Sequence, residues 1–445
     1  MTEATGSVGR LNIPAVCVRS LAVSQARRTI APTSMASDQS PPPDTRDAAQ
    51  TLDDLEELLK RIPGAQKVIN ELRDLRALLV GRRAPRVAVL GRRGSGKSSL
   101  GNALLGRELL TVGAVEDTTV APTWIDLAVQ GRQVRWLDTP GLRAGARPER
   151  REEIARALQA ERPDVLLWLF KASQVDAGVD EDLAELVVLR AAITGVDGPV
   201  PVVVVITKVD ELPPTERRAP PYDCDTAKRA AIQRARDALR GHVQRVTGLE
   251  LPIVAVCTWQ RFVEESAVTD WRWNLDALAM EIHQALPVSA QIEAARAFER
   301  ARTVRRKVAM RLVGTATSVS FVVGATPLPI ADLAVLIPLQ STMLAGIVYA
   351  SGRSLGPRAV SEWLAVMGAT VGAGVGLREA VRAALKLIPG VGATISGAVA
   401  ATGTWALGVA AVRYFIDGAS AIEARADFVA AAAEGPPPDL TKPDE

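Results

Sequence analysis

The chain has 445 residues, of which 48% are hydrophobic and 23% charged, and its formal net charge is only +3. This length suits about two or three domains with a sizeable core, whereas the balanced charge gives no electrostatic case for a nucleic-acid partner. The three cysteines, Cys17, Cys224 and Cys257, lie far apart and form no disulfide or metal pattern, which suits a reducing compartment. With His242 and His283 as the only histidines, a multi-histidine metal site is excluded.

The N-terminal segment, residues 1–50, is dominated by Pro, Ser, Thr and Ala, so we predict that it is disordered. Its first part carries four arginines against one acidic residue, which is the charge pattern of a transit peptide. The alternative, which we favour, is that translation begins at Met35. Residues 51–84 place apolar side chains at helical spacing and are interrupted at Pro63-Gly64, so they are predicted to form a pair of helices.

Apolar strand-like runs alternate with helical patterns from about residue 85 to residue 287. This alternation is typical of an α/β domain with a doubly wound, mostly parallel sheet and helices on both faces. The predicted strands are Arg86–Leu90, Thr123–Val129, Gln133–Leu137, Val165–Phe170, Pro201–Ile206 and Ile253–Cys257. Because ligands of such sheets bind at the carboxyl ends of the strands, we expect the functional residues in the loops that follow them.

The loop after the first predicted strand carries a phosphate-binding pattern. Gly91, Gly96, Lys97 and Ser98 fit G-x-x-x-x-G-K-[ST] between a strand and a helix. Glycines let the backbone N–H groups turn inward around a triphosphate, and the following helix adds the positive end of its dipole. Lys97 is predicted to bridge the outer phosphates, and Ser98 to ligate Mg²⁺. The predicted phosphate cradle comprises Gly91, Arg92, Arg93, Gly94, Ser95, Gly96, Lys97, Ser98 and Ser99.

The sequence DTPG follows the strand that ends near Leu137. A carboxylate at Asp138 can hold Mg²⁺ through water, opposite Ser98, and the backbone N–H of Gly141 can then reach the γ-phosphate. The segment after Gly141 would therefore respond to the presence of that phosphate. An ordinary turn is the alternative for DTPG alone, but its position about forty residues after the phosphate-binding loop favours the nucleotide site.

The sequence TKVD, beginning at Thr207, follows the apolar strand PVVVVI. The carboxylate of Asp210 can accept hydrogen bonds from guanine N1–H and from the 2-amino group, whereas adenine offers neither donor. A site built around such bonds rejects the wrong base strongly. The aliphatic part of Lys208 can cover the face of the base. A solvated Lys/Asp turn is the alternative, and the order of the three motifs favours a guanine site.

These three motifs, in this order, resemble the GTPase domain of the translation-factor class, and the stretch GKSSLGNALLGRELLTVGAVEDTT is similar to the Era-like group. The resemblance spans roughly residues 86–286 and implies GTP or GDP with Mg²⁺ as ligands. It also implies that Thr119, or alternatively Thr118, closes on Mg²⁺ and the γ-phosphate, and that Cys257-Thr258 is the last base-contacting loop. The residues implied for catalysis are Lys97, Thr119 and Gly141, and those implied for the metal are Ser98, Thr119 and Asp138.

Four parts of the site depart from the family pattern. The last base-contacting loop is Cys257-Thr258, where the family usually has Ser-Ala. Thr207 stands where the family usually has Asn, which is a tolerated variant. Leu142 follows DTPG where Ras-type enzymes place a water-orienting Gln, and Gly94 occupies the position at which potassium-activated relatives carry Asn. Because a leucine cannot orient water, we expect slow intrinsic hydrolysis, with the missing group supplied by another segment, a dimer partner or another protein.

The composition changes after residue 287. A basic stretch precedes three uncharged segments, Leu312–Ala331, Leu333–Gly352 and Leu387–Val412, each long enough to cross a bilayer as a helix. The segment ATPLPIADLAVLIPLQSTML resembles the uncharacterised, membrane-associated helical domain that follows Era-like GTPase domains in many bacterial proteins. We therefore expect residues 288–433 to form an apolar all-α domain and Leu312–Gly352 to insert as a helical hairpin. A soluble, tightly packed helical domain is the alternative, and residues 434–445 are predicted to be disordered.

The sequence as a whole predicts a GTP-hydrolysing switch at the cytoplasmic face of a membrane, with lipid or a membrane protein as the partner of its helical domain. A soluble cytoplasmic location is the alternative. Two rival functions are a nucleotide-stabilised scaffold with little turnover and a GTP-driven membrane-remodelling protein. A homodimer is left open.

Overall fold

The computed structural model describes residues 43–112, 121–129, 131–142, 148–175, 178–195, 198–263, 266–326, 331–353 and 392–440. Among them, six strands form one sheet in the order β2-β3-β1-β4-β5-β6, with β2 antiparallel to β3 and the other neighbours parallel. The strands are β1 (Arg86–Gly91), β2 (Thr123–Val129), β3 (Arg132–Asp138), β4 (Val165–Lys171), β5 (Val202–Thr207) and β6 (Ile253–Ala255). The predicted fold class, a doubly wound and mostly parallel sheet, is confirmed.

The central strands are apolar along their whole length because both faces of the sheet are covered. All six residues of β5, VVVVIT, are buried, as are the first six of β4. Such continuous apolar runs are typical of parallel strands between two layers of helices. The carboxyl ends of β1, β3 and β5, at Gly91, Asp138 and Thr207, point to the same edge of the sheet, which places the three predicted motif loops together there.

One face of the sheet packs on three helices, which are α4 (Pro148–Ala160), α5 (Val179–Ala192) and α6 (Thr226–Thr247). Its core includes Leu90, Trp168 and Ile206 from the strands, and all three side chains are almost fully buried.

The opposite face packs on α3 (Lys97–Leu105), α7 (Leu275–Ala285) and α8 (Val288–Ala297). The same continuous core runs on into the C-terminal helices and into the N-terminal pair. The remaining helices of the described residues are α1 (Pro43–Leu59), α2 (Gln66–Leu79), α9 (Arg302–Ala325), α10 (Ala331–Ala350), α11 (Gly392–Phe415) and α12 (Ala421–Glu434). By contacts, Pro42–Glu445 form one compact unit, so the packing is not interrupted at the predicted boundary near residue 287.

Helices α9 and α11 lie antiparallel and in close contact because glycines of α11 face α9. A Cβ atom at Gly408 would lie 2.5 Å from the side chain of Val313, and one at Gly397 would lie 2.7 Å from the carbonyl oxygen of Phe321. The buried hydroxyls of Ser320 and Thr404 are 2.9 Å apart and are hydrogen-bonded between the two helices. Small residues therefore set the spacing of this part of the core, and its polar groups are paired within it.

One helix among the described residues, Arg302–Ala325, is long and apolar enough to cross a bilayer by length and composition. Within the protein, 67% of its apolar window is buried. The helical region of the prediction is thus present, and its entry into a membrane stays a prediction. The sequence places the turn of the predicted hairpin near Pro327 to Asp332, and residues 327–330 of that turn lie outside the described residues.

Three details correct the sequence analysis. Helix α1 begins at Pro43, inside the segment predicted to be disordered, because proline is well suited to the first turn of a helix. Beyond β6, the strands β7 (Gln260–Val263) and β8 (Ser266–Asp270) form an antiparallel hairpin that was not predicted. Part of the predicted C-terminal tail is ordered, since Pro438–Leu440 forms a 3₁₀ turn beside α9. Residues 1–42 and 441–445 lie outside the described residues.

Candidate nucleotide site

The loop between β1 and α3 has the backbone conformation that its glycines allow. Gly96 has φ of 87° and precedes the first residue of α3, Lys97, so the left-handed residue directs the chain into the helix. At Gly91 the restriction is steric, because a Cβ atom there would lie 2.6 Å from the carbonyl oxygen of Leu169 on the neighbouring strand. The loop is therefore packed closely on the sheet edge, with the N-terminus of α3 beside it.

The Lys97 ammonium group folds back over this loop. Its Nζ atom lies 3.3 Å from the carbonyl oxygen of Gly91 and 3.4 Å from that of Arg92. The hydroxyl Oγ of Ser95 is buried and has no hydrogen-bond partner in the described part of the chain. A cationic group and an unpaired buried hydroxyl thus lie at the start of a helix, which is the chemistry that accommodates an anion such as a phosphate chain.

The DTPG segment lies directly against the phosphate loop. The hydroxyl of Thr139 donates to the carbonyl oxygen of Val89 at 2.7 Å, and the backbone N–H of Leu142 donates to that of Gly91 at 3.1 Å. A Cβ atom at Gly141 would lie 2.6 Å from the backbone nitrogen of Arg93, so a side chain does not fit at this position. The backbone of Gly141 is therefore adjacent to the loop that would hold the phosphates.

Leu142 points away from the phosphate loop. Its side chain is 4% exposed and belongs to the core beneath α4, α5 and α6, together with Leu137 and Trp168. This placement agrees with the expectation that Leu142 orients no water. Arg93, by contrast, is exposed on the loop itself.

Thr207 joins the base-binding motif to the phosphate loop. Its hydroxyl lies 2.6 Å from the carbonyl oxygen of Ser95 and 3.2 Å from that of Phe170. A hydroxyl can donate only one hydrogen bond at a time, and the shorter contact is the one to the phosphate loop. Thr207 is fully buried, so this bond forms away from solvent. The threonine found in place of asparagine therefore still fixes one motif to the other.

Asp210 presents a buried carboxylate at the same edge of the sheet. The residue is 3% exposed, and its Oδ2 atom accepts from Nη2 of Arg218 at 2.8 Å. The thiol of Cys257 donates to Oδ1 at 3.5 Å. Burial raises the pKa of Cys257 to about 12, so the thiol remains protonated and can serve as this donor. The structure thus brings together Asp210 and Cys257, which are far apart in the sequence.

A buried lysine supports the backbone that carries Asp210. The Nζ atom of Lys228 donates to the carbonyl oxygens of Asp210 and Leu212, at 2.7 and 2.5 Å. Burial lowers the pKa of Lys228, and the two carbonyl oxygens provide the hydrogen bonds that its buried amine needs. Lys228 therefore holds the TKVD loop in place from the first turn of α6.

A cleft of about 580 Å³ opens beside Asp210. Its walls include Lys208 and Asp210 of the TKVD segment and Thr258 of the last predicted base-contacting loop. Trp259 contributes an indole that is 40% exposed. That indole packs on Trp271, with ring centroids 4.5 Å apart. The lining also includes Ser99 and Arg218. The cleft is concave and is lined mostly by polar and charged side chains, which can form hydrogen bonds to the edge of a base.

The phosphate loop is also attached to α5. Arg92 donates from Nε to Asp182 at 2.9 Å and from Nη2 to the carbonyl oxygen of Gly178 at 2.6 Å. Burial raises the pKa of Asp182, although the adjacent guanidinium opposes this shift. Arg92 therefore packs toward α5, whereas a contact with the phosphates was predicted for it.

The donor set fits Mg²⁺ bound together with a nucleotide. Ser98 lies in the first turn of α3, and Asp138 lies at the end of β3, next to β1. A hydroxyl, a carboxylate and phosphate oxygens are hard ligands of the kind that Mg²⁺ prefers. No cluster of three or more His, Cys, Asp or Glu side chains able to hold a metal occurs among the described residues. Thr119, the third predicted metal ligand, lies outside the described residues, as does Thr118.

Sequence reasoning did not identify three residues of this site, Arg218, Lys228 and Asp182. Each contacts a motif residue through a bond that depends on the fold, and each occurs in a stretch with many other charges. The nearest signal in the sequence is the Pro-rich loop ELPPTERRAPPYDCD, which carries Arg218 shortly after TKVD.

Comparison with known proteins identifies the domain. Residues 86–208 match the family model described as 50S ribosome-binding GTPase. The GTPase Der of Chloroflexus aurantiacus is 37% identical over 107 residues, which are 23% of this chain and 24% of that protein. The tRNA modification GTPase MnmE of Rhizobium meliloti is 35% identical over 116 residues, covering 26% of each chain. The chain thus spans about a quarter of the length of these relatives.

Among solved structures, Toc33 from Arabidopsis thaliana is similar, with 17% identity, a TM-score of 0.35, and coverage of 53% of this chain and 94% of that one. The family match covers the phosphate loop, the DTPG segment and the start of TKVD, which are the segments that meet at the sheet edge. The chain therefore contains a P-loop GTPase domain.

Proposed function

We propose that the chain binds GTP and GDP with Mg²⁺ and hydrolyses GTP slowly, as a molecular switch. The observation that carries the proposal is the contact of three motif loops at one sheet edge. Gly141 lies against Arg93, and the Thr207 hydroxyl donates a hydrogen bond to the carbonyl oxygen of Ser95. The DTPG segment, which would contact the γ-phosphate, and the TKVD segment, which would contact the base, therefore both contact the phosphate loop.

Each part of the site has a role in this proposal. Lys97 and the backbone of the glycine loop would bind the phosphates, and Ser98 and Asp138 would hold Mg²⁺. Mg²⁺, when bound, neutralises charge that develops on the phosphate oxygens during hydrolysis. Asp210 accepts hydrogen bonds from the guanine, Lys208 covers its face, and Thr258 borders the pocket. Thr119 stays the predicted third ligand of the ion.

Slow turnover follows from the position of Leu142. Its side chain is held in the core, so no residue at this position activates the attacking water. The water-orienting group comes instead from another segment of the chain, from a second copy of the chain, or from another protein. A homodimer that completes each site is one such arrangement.

Phosphate release from GTP by the full-length protein tests the proposal. We expect slow release that requires Mg²⁺, is absent with ATP, and is lost in Lys97→Ala. Tight GTP binding without release would favour the rival scaffold, in which the nucleotide stabilises the fold. No binding of guanine nucleotides at all would refute both.

We propose further that the helical region attaches the protein to the cytoplasmic face of a membrane. Support comes from the uncharged segments and from Ile337 of α10, whose side chain is 58% exposed. Fractionation followed by an alkaline carbonate wash tests it. Retention in the pellet indicates insertion, release by carbonate indicates peripheral attachment, and a soluble, monodisperse protein without detergent contradicts the proposal.

The rival membrane-remodelling function makes a separate prediction. Such a protein should assemble into large oligomers with a GTP analogue and dissociate with GDP. Mass measurement in the two nucleotide states distinguishes it from a switch, which is expected to remain a monomer or to form at most a dimer.

A further inference from the structure

The buried carboxylate of Asp210 is already neutralised within the protein. Arg218 donates to Oδ2 at 2.8 Å, and the side chain of Asp210 is only 4% exposed in this ion pair. The Cys257 thiol occupies Oδ1 at 3.5 Å. A buried carboxylate without such partners would be costly, so the pair with Arg218 stabilises the protein while no base is bound.

A guanine base would need the same carboxylate. Its N1–H and 2-amino groups form two parallel donors, and they pair with both oxygens of a carboxylate. The guanidinium of Arg218 offers equivalent donors and lines the same cleft. We propose that Arg218 is a specificity-determining residue that competes with the guanine base for Asp210. This inference rests on the proposed function, because it concerns the same nucleotide site.

The surroundings of Arg218 allow its side chain to leave. The side chain is 46% exposed, and the hydroxyl of Tyr222 donates to its backbone carbonyl at 2.6 Å. Tyr222 is itself buried, so the backbone of the loop is fixed and only the guanidinium needs to move. Lys228 holds the carbonyl oxygen of Asp210 independently of this pair, so the carboxylate keeps its position when Arg218 leaves.

The competition predicts in which direction the ion pair changes the affinity for nucleotides. A guanine nucleotide must break the ion pair before it binds, so the pair lowers the affinity for GTP and GDP. An adenine nucleotide offers no donors to Asp210 and leaves the pair intact, so its affinity does not depend on the pair. Removal of Arg218 is therefore expected to strengthen guanine binding and to widen the preference for GTP over ATP. A residue that held the base directly would have the opposite effect.

The chain supplies a matched control next to Arg218. Arg217 is also exposed and pairs with Asp225, 3.2 Å away, rather than with the base loop. Binding of fluorescent GDP to the full-length protein, with ATP as competitor, is measured for wild type, Arg218→Ala, Arg218→Gln and Arg217→Ala. We expect both changes at Arg218 to tighten GDP binding by about three- to tenfold, an effect typical of a half-exposed charge on a buried partner. Arg217→Ala is expected to bind like wild type.

Repeating the change at Arg218 in an Asp210→Asn variant tests whether Arg218 affects nucleotide affinity through Asp210. In Asp210→Asn, the ion pair is gone, so adding Arg218→Ala should not change the binding of xanthosine diphosphate. Weaker or unchanged GDP binding in both variants at Arg218, or an equal gain in Arg217→Ala, would overturn the inference. If wild type binds no guanine nucleotide, it is the proposed function that fails, so the two failures are distinguishable.

Discussion

The nucleotide loops and the C-terminal helices use close backbone contact for different purposes. At the sheet edge, Gly141 allows the DTPG segment to approach the phosphate loop, with 2.6 Å between its Cβ position and the backbone nitrogen of Arg93. Between α9 and α11, Gly408 allows two helices to approach, with 2.5 Å between its Cβ position and Val313. The first contact positions groups that can bind a ligand, and the second fills a hydrophobic core.

Because of this difference, nucleotide binding and the stability of the fold depend on different residues of one compact unit. Residues of the loops are held by a few hydrogen bonds at the edge of the sheet, whereas the helices share a core with the sheet itself. Changes in the loops should therefore alter nucleotide binding while the fold persists. Changes between α9 and α11 should alter the free energy of unfolding without touching the site.

The largest effect is expected from Lys97→Ala. Nucleotide affinity should fall by about a hundredfold or more, because the ammonium group would donate to two phosphates and such charge-assisted bonds contribute about 1.5–3 kcal/mol each. Thermal unfolding without nucleotide should stay near wild type, since the ammonium group donates to carbonyl oxygens of the phosphate loop at the edge of the sheet and lies outside the core. Titration with a fluorescent GTP analogue measures the change. A wild-type affinity of the variant for the GTP analogue would contradict the assignment of the phosphate loop.

A comparable change in base preference is expected from Asp210→Asn. The amide replaces one carboxylate oxygen by a donor, which suits the 2-oxo group of xanthine and leaves the guanine 2-amino group without an acceptor. Preference should shift from GTP toward xanthosine triphosphate by about a hundredfold. Competition binding with both nucleotides measures it. If the variant kept its preference for GTP, Asp210 would not be the residue that recognises the guanine base.

Substitution in the helical core should act on stability alone. In Gly408→Ala the added methyl group meets the stiff side chain of Val313, so we expect the free energy of unfolding to fall by about 1–3 kcal/mol. Gly403 of the same helix has open space within 4 Å of its Cβ position, so Gly403→Ala should be neutral or stabilise by up to about 1 kcal/mol. Denaturant unfolding compares the two, with GDP affinity as the control. Equal effects of the two substitutions would show that α9 and α11 do not pack as described.

The smallest effect is expected from Thr207→Val, which removes the bond between the two motifs and keeps the side-chain shape. The carbonyl of Ser95 would lose its donor, so nucleotide affinity should fall by about fivefold, equivalent to about 1 kcal/mol. Isothermal titration with GDP measures the loss. An unchanged affinity would mean that the two motifs are aligned by other contacts.

Prediction from sequence succeeded where one local rule dominates. The apolar runs of β1, β4 and β5 and the spacing of the glycine loop follow from short-range patterns, and the six strands of the sheet were predicted nearly to the residue. Prediction failed where a contact depends on the path of an irregular loop, which no periodic pattern marks. The ion pair of Arg218 with Asp210 requires the folded Pro-rich loop, and the β7–β8 hairpin lies in a stretch after β6 for which no strands were predicted.

The helical region shows a different limit of sequence reasoning. An uncharged helix of bilayer length has the same composition whether lipid or protein surrounds it. Around α9, the structure supplies other helices as neighbours, and the polar side chains of Ser320 and Thr404 pair with each other. Composition alone could not reveal these partners, so membrane attachment stays a prediction.

Competition between GTP and ATP at the wild-type site tests the central claim most directly. A fluorescent guanine nucleotide is bound to the full-length protein with Mg²⁺ and is then displaced by each unlabelled nucleotide. We predict that GTP displaces it at concentrations about a hundredfold or more below those of ATP, because adenine gives the buried Asp210 no hydrogen bond. Equal displacement by the two nucleotides, or failure of the guanine probe to bind, would contradict the assignment of this chain as a guanine-nucleotide switch.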